Sequence, residues 1–292
     1  MKTQGNSLPS GVPDIGTSAS SAFSVGISVS DSDDLPRLGL AEAHAELAIA
    51  EIARAVLVAG GTLVYGGRIR PSGFTRCLLH EVDRYGRSNA LTLCLAAPEH
   101  RKLSRSELDG IDRQLGSKGQ VICLDERGNP IPDILKFKPP EPQDTDEAAK
   151  PPAYSALRRH MGTITDARVL LGGNLSTFAG SIPGILEEAI IAVARKQPLF
   201  ASAGFGGAAA LAARHLGTDD LGWAPGDFPQ RADDDRVDRA VAELEEAAAG
   251  SGWDPGATGL ETDELGRLSA SHRAGEIAAL AVRGLSRALN PP

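Results

Sequence analysis

Glycines, hydroxyls and charges in this chain gather where apolar runs give way to helical patterns. Ser30, Asp31 and Ser32 follow the run 23–29 (FSVGISV). Gly66, Gly67, Arg68, Arg70, Gly73, Phe74 and Thr75 follow the run 62–65. Gly172, Gly173 and Asn174 open a turn that passes Gly180 and Pro183-Gly184 into Glu187-Glu188. Gly204, Phe205, Gly206 and Gly207 follow the run 199–202. Small residues at such junctions let a ligand approach the backbone, and helix N-termini offer unpaired amides to an anion. Arg68 and Arg70 have the chemistry to pair with a phosphate. One double glycine after a strand is as well explained by a tight turn. Four junctions at equivalent positions point to a ligand cradle. Glu187 and Glu188 stand just inside a helix, where carboxylates also suit the positive dipole end. Adjacent helical residues face different ways, so only one of the two is expected to point into a cleft. Arg158 lies on the helix before strand 167–171, with a helix-face salt bridge as its plainer role.

The elements that must position these residues alternate. Residues 1–22 lack periodicity and read as a disordered tail. Helical spacing covers 40–58, stopped by Gly60-Gly61, and again 74–85. Short apolar runs at 90–95 and 120–124 read as buried strands. Residues 125–152 hold much of the proline and several charges, which suggests a surface loop and a flap over a site. A helix over 154–165, a strand over 167–171, a helix over 185–194, a strand over 199–202 and an Ala-rich helix to about 216 complete the series. Such alternation predicts an α/β fold, a Rossmann-like parallel sheet flanked by helices. One nucleotide-binding domain is expected over 23–217. Helices at 234–249 and 261–289 form a C-terminal helical appendage over 218–292, packed on the core or used in self-association.

With 292 residues the chain can bury a sufficient core without metal or disulfide. A net charge of −8 argues against nucleic acid as a partner, although a small anion can still be held by local amides and arginines. The six histidines show no ligand-like spacing, so no metal is expected. Cys94 and Cys123 sit in apolar runs and read as buried, reduced thiols. Neither a signal peptide nor a bilayer-length apolar run is evident, so membrane insertion is not expected and a cytoplasmic protein is. No cofactor is specified beyond a nucleotide-type ligand.

VYGGRIRPSGFT (64–75), LRRHM (157–161), DARVLLGGNLSTFAGSIPGILEEAI (166–190) and AGFGGAA (203–209) together resemble the SLOG superfamily. The nearest resemblance is to prokaryotic relatives of the SLOG domain of TRPM channels, over about 23–217. "Lonely guy" phosphoribohydrolases and lysine-decarboxylase-like proteins share that core. The resemblance implies binding of nucleotides or nucleotide-derived signals, including cyclic ADP-ribose-type molecules in bacterial antiphage systems. Sensors of that kind work with an effector, here expected to be a separate protein, and a homo-oligomer is expected.

Two functions follow. As a sensor, the protein would hold phosphates at Gly66-Gly67 and Gly172-Gly173, with a base or ribose near Ser30 and Phe205. As a nucleoside-monophosphate phosphoribohydrolase, it would use Glu187 or Glu188 at a ribosyl centre, with Arg158 orienting carboxylate or phosphate. The enzyme branch carries Pro-Gly-Gly-x-Gly-Thr, whereas here Gly172-Gly173 continue into Asn174-Leu175-Ser176-Thr177 and Pro183-Gly184 replace Gly-Thr. That departure favours the sensor.

Overall fold

The computed structural model describes residues 23–67 and 73–289. Residues 1–22, Arg68 and Arg70 lie outside the described residues. Strand β1 (Ser24–Ser30) leads through α1 (Glu42–Val58) to β2 (Thr62–Gly66), and α2 (Phe74–Tyr85) leads to β3 (Leu91–Leu95). Helices α3 (Ala97–Arg101) and α4 (Arg105–Leu115) precede β4 (Gly119–Cys123). The one-turn α5 (Ile134–Phe137) and the longer α6 (Lys150–Thr163) come before β5 (Ala167–Gly172). Then follow α7 (Gly184–Ala194), β6 (Leu199–Ser202), α8 (Gly207–His215), α9 (Asp235–Ser251), α10 (Thr262–Ala270) and α11 (Ala274–Leu289).

All strand pairs are parallel, in the order β4-β3-β2-β1-β5-β6. The α/β, Rossmann-like reading is therefore correct. The chain starts mid-sheet and winds outward to β4 on one side, then resumes at β5 and winds outward to β6. At that reversal the loops leaving β1 and β5 diverge, which is where such sheets form a crevice.

Alternation along the strands sorts side chains between two faces. Val25, Ile27, Leu63, Leu93, Val169 and Leu171 pack with α1, α2, α10 and α11 in one apolar cluster. On the opposite face Leu170 packs with α7, α8 and α9, while Val64 and Cys94 pack with α6. The C-terminal helices thus lie on both faces of the sheet, with α9 against α7 and α11 against α1.

Three stretches differ from the sequence expectation. Helices α3 and α4 lie between 96 and 119, where the sequence pattern predicts no element. A reciprocal cap starts α4, in which Ser104 Oγ accepts from Glu107 N and Glu107 accepts from Ser104 N at 2.7 Å. The expected helix 261–289 is two helices, because Ser271 Oγ accepts from Arg273 N at 3.0 Å and ends the first one. Residues 125–152 do not overlie the cleft described below. They run beside α3 and α4, with Arg105 Nε donating to Lys138 O at 2.8 Å and Gln143 N donating to Arg101 O at 2.9 Å. Lys138 Nζ donates to His100 O at 2.7 Å in this packing. Burial pushes the Cys94 and Cys123 thiols up to about 12.

Candidate functional site

A cleft of about 450 Å³ opens at the crevice beyond β1, β2 and β5. Ser28, Ser30 and Asp31 reach it from β1, and Tyr65, Gly66 and Gly67 from the end of β2. The first turn of α2 contributes Gly73, Phe74 and Thr75. Tyr154 and Arg158 come from α6, Gly184 and Glu188 from α7, and Asn174, Thr177 and Phe178 from the loop after β5. A larger hollow of about 720 Å³ lies between α2 and α4 and holds none of the expected site residues.

Arg158, Arg168, Glu187 and Glu188 form a charge network at the cleft. Arg158 donates to Glu187, and its guanidinium lies 5.9 Å from the Tyr154 ring centroid. Its Nε stands 3.8 Å from Glu188 Oε1. Glu188 Oε2 accepts from Ser28 Oγ and from Arg168 Nη1. Arg168 Nη1 also donates to Ser28 Oγ at 2.9 Å. Of the adjacent glutamates, Glu188 lines the cleft, and Glu187 reaches it only through Arg158. Tyr154 Oη donates to Glu99 on the same wall. Asp31, Glu42, Glu99 and Glu188 make the described lining acidic, with Arg158 as its cation.

Two of the glycine turns are occupied by the protein's own groups. Asn174 Oδ1 accepts from Ser176 N at 2.8 Å and Thr177 N at 2.6 Å, so these amides are engaged within the turn. Gly172 and Gly173 are buried beneath it, with Ala208 N donating to Gly173 O at 2.9 Å. Gly180 and Pro183 are also buried and do not line the cleft. At the end of β6, the buried Asp34 accepts from Gly207 N at 2.8 Å and from Gln230 N at 2.9 Å. Gly204, Phe205, Gly206 and Gly207 are all buried, and none lines the cleft. Phe205 is instead part of the apolar core with α10 and α11, away from the place beside Ser30 expected for it. Ser32 is buried too, and its Oγ accepts from Asp34 N at 3.2 Å. Arg68 and Arg70, expected to meet phosphate, lie outside the described residues.

Sequence reasoning missed Ser28, Arg168 and the aromatic set Tyr65, Tyr154 and Phe178. A signal was present, since Arg168 interrupts an otherwise apolar strand. Gly26 and Ser28 are the small residues of the adjoining strand on the same face, Gly26 in register with Arg168.

A family model described as SLOG cluster2 matches residues 19–244. The chain belongs to this SLOG family. No curated protein and no solved structure matches the chain. The SLOG match includes every strand, the whole cleft and part of α9, and it stops before α10 and α11. SLOG membership associates the chain with nucleotide-related binding or processing. Among the described residues no helix is long and apolar enough to cross a membrane.

Proposed function

We propose that the cleft binds a nucleotide-derived ligand of the ADP-ribose or cyclic ADP-ribose type, and that the protein senses it. The observation that carries this reading is the gathering of aromatic faces at the strand ends. The whole chain has two Trp, three Tyr and seven Phe. Tyr65, Phe74, Tyr154 and Phe178 all line this one cleft. Such faces suit a stacked base, and carboxylates such as Glu188 and Asp31 suit ribose hydroxyls. The first turn of α2 and Arg158 suit a phosphate. Occupancy would shift the population of a conformer that engages a second copy or a separate cytoplasmic effector, as in antiphage signalling.

A second reading, hydrolysis of an N-glycosidic bond, is favoured by one observation: Arg158 and Glu188 line the cleft side by side, with Glu187 paired to Arg158. Thermal unfolding with AMP, NAD, ADP-ribose and cyclic ADP-ribose, followed by recovery of the ligand, separates the two. A ligand at a hundredfold excess over its Kd adds about 2.7 kcal/mol. A raised midpoint with intact ligand is expected for the sensor, and release of free base would make the protein a hydrolase. No shift with any of the four would overturn the assignment to this ligand class.

A further inference from the structure

Arg168 is the bulkiest of the fully buried side chains, mid-strand in β5 on the face that carries α6 and α7. Among the described residues its Nε and Nη2 have no hydrogen-bond partner. Compensation comes through Nη1 alone, bonded to Ser28 Oγ at 2.9 Å and to Glu188 Oε2. A buried guanidinium with two unpaired nitrogens stabilises a core less than an apolar side chain of its volume would. Packing therefore gives no reason for an arginine here. The adjoining strand is nevertheless shaped to admit it. Gly26 pairs with Arg168 in register, and a Cβ at Gly26 would stand 2.9 Å from the guanidinium carbon. What the cation secures is the orientation of Glu188. Two donors fix Oε2, and Oε1 is left beside Arg158, beyond hydrogen-bond reach at 3.8 Å.

We infer that Arg168 is a positioning residue of the cleft, a buried cation that holds Glu188 with one carboxylate oxygen presented to a ligand hydroxyl. This rests on the reading of the cleft as a site for a nucleotide-derived ligand. The group presented is an acceptor among other acceptors, Asp31 and Glu99, so its complement is a donor such as a ribose hydroxyl and not a phosphate oxygen. Neither Arg168 nor Gly26 lines the cleft, so their substitution reaches the ligand only through Glu188.

The test uses the full chain, with ADP-ribose and AMP as probes in calorimetry and thermal unfolding of each variant alongside. Arg168→Met is expected to lose affinity by about tenfold or more, the scale of one charged hydrogen bond. Both bonds come from one nitrogen, so Arg168→Lys is expected to restore most of that loss. Gly26→Ala displaces the guanidinium without removing its charge, and carries the test if Arg168→Met does not fold. Arg168→Met combined with Glu188→Gln should recover thermal midpoint relative to Arg168→Met alone and leave the affinity low. A merely structural role would recover both. Folded Arg168→Met or Gly26→Ala binding as tightly as the wild type would overturn the inference. If the wild type binds neither probe, the ligand reading itself fails, and the ligand-free midpoints still decide the coupling. Strictly additive effects of the two single substitutions would then reject Arg168 as the holder of Glu188.

Discussion

The turn after β2 and the turn after β6 are built from the same vocabulary, glycines and a phenylalanine where a helix begins, and they lie in opposite surroundings. After β2, Gly66, Gly67, Gly73 and Phe74 border the cleft. After β6, Asp34 occupies the first amide of α8, and Gly204 to Gly207 are sealed inside the molecule. The two turns thus differ in exposure: the first lines the cleft, and the second is closed over by a carboxylate of the protein itself. Asn174 makes the turn after β5 an intermediate case, open to the cleft but engaged at Ser176 N and Thr177 N.

Substitution at Gly207 tests the contrast most severely. Gly207 has φ +62°, and a Cβ there would collide with the backbone carbonyl of Gly173. Gly207→Ala should destabilise by about 3 kcal/mol or more in denaturant unfolding. Gly73 has φ +86°, and among the described residues nothing stands nearer to its Cβ than Glu42 at 4.0 Å, so Gly73→Ala should cost only about 1 kcal/mol. Equal losses at the two sites would break the comparison. Next in size, Asp34→Ala strands the buried amide of Gly207 and frees the part-buried one of Gln230, and should cost about 2 kcal/mol, with ligand affinity of the folded protein unchanged. Arg158→Ala differs in removing a group that lines the cleft. It should lower affinity for ADP-ribose about tenfold or more and, because its pair with Glu187 is largely buried, also cost about 2 kcal/mol of stability, read by calorimetry and unfolding.

The smallest effect expected is a pH dependence at a closed donor outside the cleft. His100 donates to Leu124 O at 3.0 Å, and burial holds its imidazole below the ordinary value of 6.5. Because the unfolded chain then takes up the proton first, the contribution is complete above about pH 6.5. It is lost as pH falls from there toward the lower folded value, by at most about 1.4 kcal/mol per unit of difference. His100→Gln should flatten the midpoint between pH 7 and pH 5, and an unchanged slope would exclude His100 as its source.

The strands were legible because parallel strands buried on both sides read as short apolar runs between turn residues. Residues 23–29 and 199–202 were placed to within a residue of β1 and β6. Helix α4 was not, since only Leu108 and Leu115 of it are buried and its apolar stripe is too thin to read. That Arg158, Glu187 and Glu188 lie near one another is legible from their place around a strand and turn. Arg168 was absorbed into a run read as core, because only strand register shows that it stands beside Gly26 and Ser28. The sealed fate of Phe205 depended on Asp34 and on α10, both distant in sequence.

The contact between α11 and α1 bears on how the chain is made. Ile49, Ile52 and Val56 of the first helix are covered by Ile277, Ala281 and Leu285 of the last. Their partners leave the ribosome more than two hundred residues later, so during synthesis this apolar stripe waits uncovered while the rest of the sheet is laid down. A chain stalled or cut after α9 would keep the whole cleft and still present that stripe to chaperones, proteases or other nascent chains.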